Sequence, residues 1–168
     1  MRPRPSRALP SCPSAGLPVV LLAAASLLVA APAAGQESAP EVEFLNAGTV
    51  LPADLPFSEA VRVDDMLFLS GMIGVVPGTD SLVAGGIAPE ARQTLENIEA
   101  VLRAHGSSLD RVVKCTVFLA DIGEWDAFNQ VYRTVFSDPY PARSALGADG
   151  LALDGRVEIE CTATVGSR

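Results

Sequence analysis

The chain has 168 residues, enough for one domain around one core. It carries 12 basic and 20 acidic residues, a net charge of −8, with one histidine and three cysteines. An acidic surface repels phosphate backbones, which disfavours nucleic acid as a partner, and the few His and Cys residues show no metal-ligand spacing.

The first 35 residues stand apart. Arg2, Arg4 and Arg7 form a basic start without an acidic residue, residues 17–31 are almost wholly apolar, and Ala31-Pro32-Ala33-Ala34-Gly35 follow. That is the three-part pattern of a signal peptide at 1–35, cleaved after Ala33 or Gly35. The apolar run is shorter than the roughly 20 residues that span a bilayer, so no membrane attachment is expected after cleavage. Cys12 precedes the apolar run, whereas a lipid-bearing cysteine would follow it. The mature chain keeps nine basic residues against twenty acidic ones, a net of −11. The expected location is outside the cytoplasm, in a bacterial periplasm.

Residues 36–54 read as a polar linker with a possible first strand from 42 to 51, ahead of a domain at 55–168. Ala60-Val61-Arg62-Val63 and Met66-Leu67-Phe68-Leu69-Ser70 flank Asp64-Asp65, which predicts a hairpin with a tight acidic turn. Gly71-Met72-Ile73-Gly74 and Gly85-Gly86 read as turn glycines, without the spacing of a dinucleotide loop. Pro77-Gly78-Thr79-Asp80 marks a surface loop.

A helix is predicted from Pro89 to just before Gly106, since proline suits a first helical turn and glycine the position past the end. Leu95, Ile98, Val101 and Leu102 recur on one face. Glu90, Arg92, Glu96 and Arg103 fall largely on the other. His105, in the last turn, suits the negative end of the helix dipole. Residues 110–120 are β-branched and apolar, as in a buried central strand. A second helix is predicted over 124–136, with Trp125, Phe128, Val131, Tyr132 and Val135 as core packing. Two strands follow, near 142–148 and 156–165. Cys115 and Cys161 lie in strand-like runs. Export permits a disulfide, but buried free thiols are the commoner fate of such residues. The order β, β, α, β, α, β, β predicts an α/β fold: a sheet with two helices on one face. The uncovered face calls for a second copy of the chain.

Arg143 in Tyr140-Pro141-Ala142-Arg143-Ser144 stands at the start of an extended run, because Pro141 fixes its own φ and marks the entry to an element. Fifteen positions later, Val157-Glu158-Ile159-Glu160 alternates apolar and acidic residues, so Val157 and Ile159 face one way and Glu158 and Glu160 the other. On neighbouring strands, the Arg143 guanidinium and the Glu158 carboxylate would form an anion clamp beside a proton acceptor.

These segments, together with Phe68-Leu69-Ser70-Gly71, Ala91-Arg92-Gln93-Thr94-Leu95-Glu96-Asn97-Ile98 and Val113-Lys114-Cys115-Thr116-Val117-Phe118-Leu119, resemble the Rid family, the YjgF-type reactive intermediate deaminases. The resemblance runs from about residue 55 to 165. It implies a chorismate-mutase-like mixed sheet, a homotrimer with three clefts between subunits, and no cofactor or metal. It also implies hydrolysis of 2-imino acids, formed from enamines released by pyridoxal-phosphate enzymes, to 2-keto acids and ammonia. By position, Arg143 resembles the carboxylate-binding arginine and Glu158 the acid that orients water. Ser70, Gly71 and Asn129 fall at cleft positions. Two departures stand out. Leu55-Pro56-Phe57-Ser58-Glu59 replaces a Gly-Pro-Tyr-Ser-Gln-like segment, so Phe57 keeps the ring without the hydroxyl. Ala145 stands where many members carry cysteine, which leaves only a backbone contact there. Those departures, and an export signal on a family whose substrates arise in the cytoplasm, motivate an alternative, a non-catalytic trimer that binds small carboxylates; the acidic surface alone suggests another, a chaperone-like protein.

Overall fold

The computed structural model describes residues 39–166; the expected signal peptide at 1–35 lies outside the described residues. One mixed sheet contains seven strands: β1 (Val42–Leu45), β2 (Ala60–Val63), β3 (Met66–Leu69), β4 (Met72–Ile73), β5 (Val112–Leu119), β6 (Ala142–Gly147) and β7 (Val157–Thr164). Two helices, α1 (Ile87–Ala104) and α2 (Trp125–Val135), complete the fold. The strand order is β1-β2-β3-β7-β5-β6, with β4 also paired to β7. Only β5 and β6 run parallel, as expected for two strands joined through a helix.

The predicted hairpin forms as β2 and β3, and Asp64 takes the turn at φ 49°. β1 adds an edge strand to it. α1 begins two residues before Pro89, which therefore occupies the first turn, where an amide hydrogen has no intrahelical partner. Gly106, at φ 77°, ends the helix. Ala91, Leu95, Ile98, Val101 and Leu102 are fully buried and pack with Val117, Val157, Ile159 and Phe128 in the core between helices and sheet. Phe44, Phe68 and Leu146 stay exposed on the other face of the sheet.

The structure corrects three sequence expectations. Glu90 is not on the solvent side of α1. It is buried, and its Oε1 accepts the amide hydrogens of Arg156 at 2.6 Å and Val157 at 3.3 Å. The segment entering β7 leaves those donors without a strand partner, and a carboxylate satisfies them with charge-assisted bonds. Second, Gly71 and Gly74 are not turn glycines. They flank β4, and each leaves room for an acidic side chain: an added Cβ would lie 1.9 Å from Glu158 Oε1 at Gly71 and 2.6 Å from Glu90 Cγ at Gly74. Third, Cys115 and Cys161 are not free thiols. They oppose each other in the β5–β7 register and form a disulfide, because directly opposed strand residues bring their Cβ atoms together.

His105 caps the end of α1, as its position suggested, and does more than complement the helix. Its Nε2 lies 3.4 Å from Oε2 of the buried Glu59. Glu59 also accepts the amide hydrogen of Ala47, and its own amide donates to Asn46 Oδ1. One carboxylate thus fastens the chain after β1 to the C-terminus of α1.

Candidate functional site

β3 and β4 are two pieces of one strand laid along β7. Phe68 pairs with Thr162, but Met72 pairs with Ile159, so the register slips by one residue at Ser70-Gly71. A slip of one residue exchanges faces. It turns Met72 into the core and brings Ile73 opposite Glu158. Asn97 secures this geometry from α1, its amide donating to the carbonyls of Ile73 at 3.0 Å and Val75 at 2.9 Å. Ser70 donates its hydroxyl to the Ser58 carbonyl, tying the slip to the segment that carries Phe57.

The missing Cβ of Gly71 lets the Glu158 carboxylate lie against the backbone there. Glu158 opens onto a cavity of about 450 Å³ that Gly71 and Phe57 also line. Its other walls are mostly apolar, among them Val50, Leu51, Leu55, Ile73 and Leu153, with Thr79 and Asp80 as the polar exceptions. Burial, and secondarily the like charge of Glu160, raise the Glu158 pKa above its ordinary value of 4.5.

Arg143 occupies a different place. Its Nη2 donates to Asn129 Oδ1 at 2.7 Å. The guanidinium carbon lies 4.4 Å from the ring centre of Tyr132, 4.9 Å from Trp125 and 5.6 Å from Phe128. Three residues of α2 at successive turns therefore hold the cation by its faces, leaving further N–H groups of the fork for an anion. Burial pushes the Tyr132 hydroxyl up to about 12, partly offset by Arg143. A shallow depression lined by Trp125, Asn129, Tyr132, Arg133, Tyr140 and Arg143 opens here.

Arg143 and Glu158 are not on neighbouring strands. β5 lies between β6 and β7, with Arg143 opposite Cys115 and Glu158 opposite Phe118. Cys115 and Phe118 are an odd number of residues apart on one strand, so Arg143 projects to the helix face and Glu158 to the open face. Two strand spacings and three residue rises separate their Cα atoms by roughly 14 Å. The chain therefore joins Phe57, Gly71 and Glu158 in one cavity and Arg143 with Asn129 in another. Ala145 faces the helix side and packs against the core, in neither cavity. Sequence reasoning missed the aromatic cradle. Trp125, Phe128 and Tyr132 read in the sequence as core packing alone, although their spacing of three and four places all of them on one helix face. Among the described residues no three metal-ligating side chains converge.

These features define a small chorismate-mutase-like α/β protein that carries a ring-stacked arginine and a half-buried carboxylate on opposite faces of one sheet. Residues 48–165 match the family described as Endoribonuclease L-PSP, and the chain belongs to that family, with the motifs of its YjgF-type Rid members. The chain is 45% identical over 112 residues to the RutC family protein UK114 of Drosophila melanogaster, covering 67% of this chain and 81% of that one. It is also 45% identical over 111 residues to the 2-iminobutanoate/2-iminopropanoate deaminase of Capra hircus, covering 66% and 81%. The crystal structure of Escherichia coli TdcF with bound serine superposes with a TM-score of 0.67 at 32% identity, over 74% of this chain and 99% of that one.

Proposed function

We propose that the protein is a hydrolytic deaminase of 2-imino acids that acts as a homotrimer, with Arg143 of one copy and Glu158 of the next meeting across each subunit junction. The observation that carries this reading is the division of the two groups between opposite faces of the sheet. One chain does not bring Arg143 and Glu158 together, and a second copy laid on the exposed Phe68 and Leu146 supplies the other half. The relative named as an iminobutanoate/iminopropanoate deaminase and the related structure holding serine support a small α-amino-acid-like ligand. The acidic charge argues against RNA as substrate, despite the family's description.

The Arg143 fork holds the substrate carboxylate bidentately. Glu158 accepts a proton from water as the water oxygen bonds to the imine carbon. The C=N electron pair moves to nitrogen, which is protonated. The carbon–nitrogen bond then breaks, ammonia leaves and the 2-keto acid remains, so one imine and one water give one keto acid and one ammonia. Desolvation keeps the Glu158 pKa closer to working pH than that of a free carboxylate, which improves it as a base. Phe57 contributes ring surface only. The leader and the disulfide support a location outside the cytoplasm, testable by fractionation of the native host.

The test is ammonia release from 2-iminopropanoate and 2-iminobutanoate generated by an amino-acid oxidase. Acceleration by wild type, and its loss in Arg143→Ala and Glu158→Gln, is the expected result. No acceleration by a trimer that still binds 2-keto acids in calorimetry would replace this reading with that of a carboxylate-binding protein.

A further inference from the structure

The turn that leads into β7 holds an unusual residue. Leu153 adopts φ 55° and ψ 27°, and Asp154 follows at φ 57°. Left-handed backbone is costly for a bulky side chain, and such outliers persist where the surroundings impose them. Here they do. Gly155 donates its amide hydrogen to the Ala152 carbonyl, and Glu90 holds the next two amides. The strained position does not bury Leu153. It leaves it 57% exposed at the cavity beside Glu158, together with Phe57, which is 47% exposed. A cavity of about 450 Å³ lies within the range of small-ligand sites. The methyl group of 2-iminopropanoate would leave most of it to water.

We propose that this cavity receives the side chain of a bulky aliphatic or aromatic 2-imino acid, and that Leu153 is a specificity-determining residue for it. The proposal rests on the deaminase reading for the reacting end of the ligand, and adds the class of its other end. Leu51, Leu55, Ile73 and Phe57 give that side chain apolar contacts, and Leu153 closes the mouth. The reacting carbon then lies at the Glu158 edge of the cavity.

The experiment compares kcat/KM for imines derived from alanine, leucine and phenylalanine. Roughly fourfold is gained for each buried methylene-sized group, so the leucine-derived imine should exceed the alanine-derived one by about 60-fold. In Leu153→Asn that ratio should fall by about tenfold. Asparagine suits left-handed backbone better than leucine, so the variant should keep its thermal midpoint. Leu153→Met, similar in volume, should restore most of the ratio. Equal or faster turnover of the alanine-derived imine, or an unchanged ratio in Leu153→Asn, overturns the proposal. Calorimetry with 4-methyl-2-oxopentanoate and pyruvate separates the two readings. Tighter binding of the larger acid without turnover of any imine would sink the deaminase reading and support the side-chain site. Equal binding of both acids would sink the side-chain site whatever the turnover.

Discussion

Arg143 is held by a hydrogen bond at its edge and by rings over its faces, so its charge alone is not its function. Lysine would keep the charge but lose the fork and the stacking. Arg143→Lys should raise KM for imino acids by about 10- to 100-fold, the worth of one charged hydrogen bond, with a smaller effect on kcat; steady-state kinetics reads both. Glu158 must be ionised to take a proton. Its raised pKa places the acid limb of kcat/KM above pH 4.5, and Glu160→Gln, which removes a neighbouring negative charge, should move that limb to lower pH. The same shift bears on stability. A carboxylate with a raised folded-state pKa favours the native state most at low pH. That contribution declines as pH rises from 4.5 through the folded value, so Glu158→Gln should stabilise the protein at neutral pH and have little effect in acid. Arg143 and Glu158 stand out in the sequence because their neighbours form motifs. Glu90 and Glu59 were not, since only the folded chain shows which backbone donors each carboxylate satisfies.

At the scale of elements, both helices and five of the seven strands followed from hydrophobic period and punctuation, with ends within two or three residues, while β1 fills only the start of the possible strand at 42–51. β4 did not. A two-residue strand has no period to read, and it exists because β7 and Asn97 hold it from either side. The slip at Ser70-Gly71 was equally invisible, because register is a property of two strands and not of one. Its consequence is testable. In Gly71→Ala the new methyl group would collide with Oε1 of Glu158, the far end of a flexible side chain. The fold should survive, by circular dichroism and urea melting, while kcat falls through displacement of the carboxylate. The disulfide was missed for the same reason, since pairing depends on register across 46 residues of sequence. Reduction should lower unfolding free energy by about 2–4 kcal/mol, measured as urea midpoints with and without reductant.

At the scale of the molecule, the one-sided packing of helices follows from the order of elements along the sequence. The sequence suggested a clamp within a single chain, where the strand order instead separates Arg143 from Glu158. Mixing inactive subunits tests the shared site directly. Arg143→Ala and Glu158→Gln chains, unfolded together and reassembled in equal amounts, should recover about one quarter of wild-type turnover if each site takes one group from each of two adjoining copies of a trimer. No recovery would place both groups in one chain and defeat the trimer reading.

The two faces also give the chain a direction. Each copy offers its arginine on one side and its carboxylate on the other, so if these groups meet between copies, contacts run head to tail and every new neighbour completes one site. A closed ring alone leaves no half-site unfilled. Dilution below the assembly constant should therefore remove turnover faster than it removes protein, and specific activity becomes a gauge of how many rings remain shut.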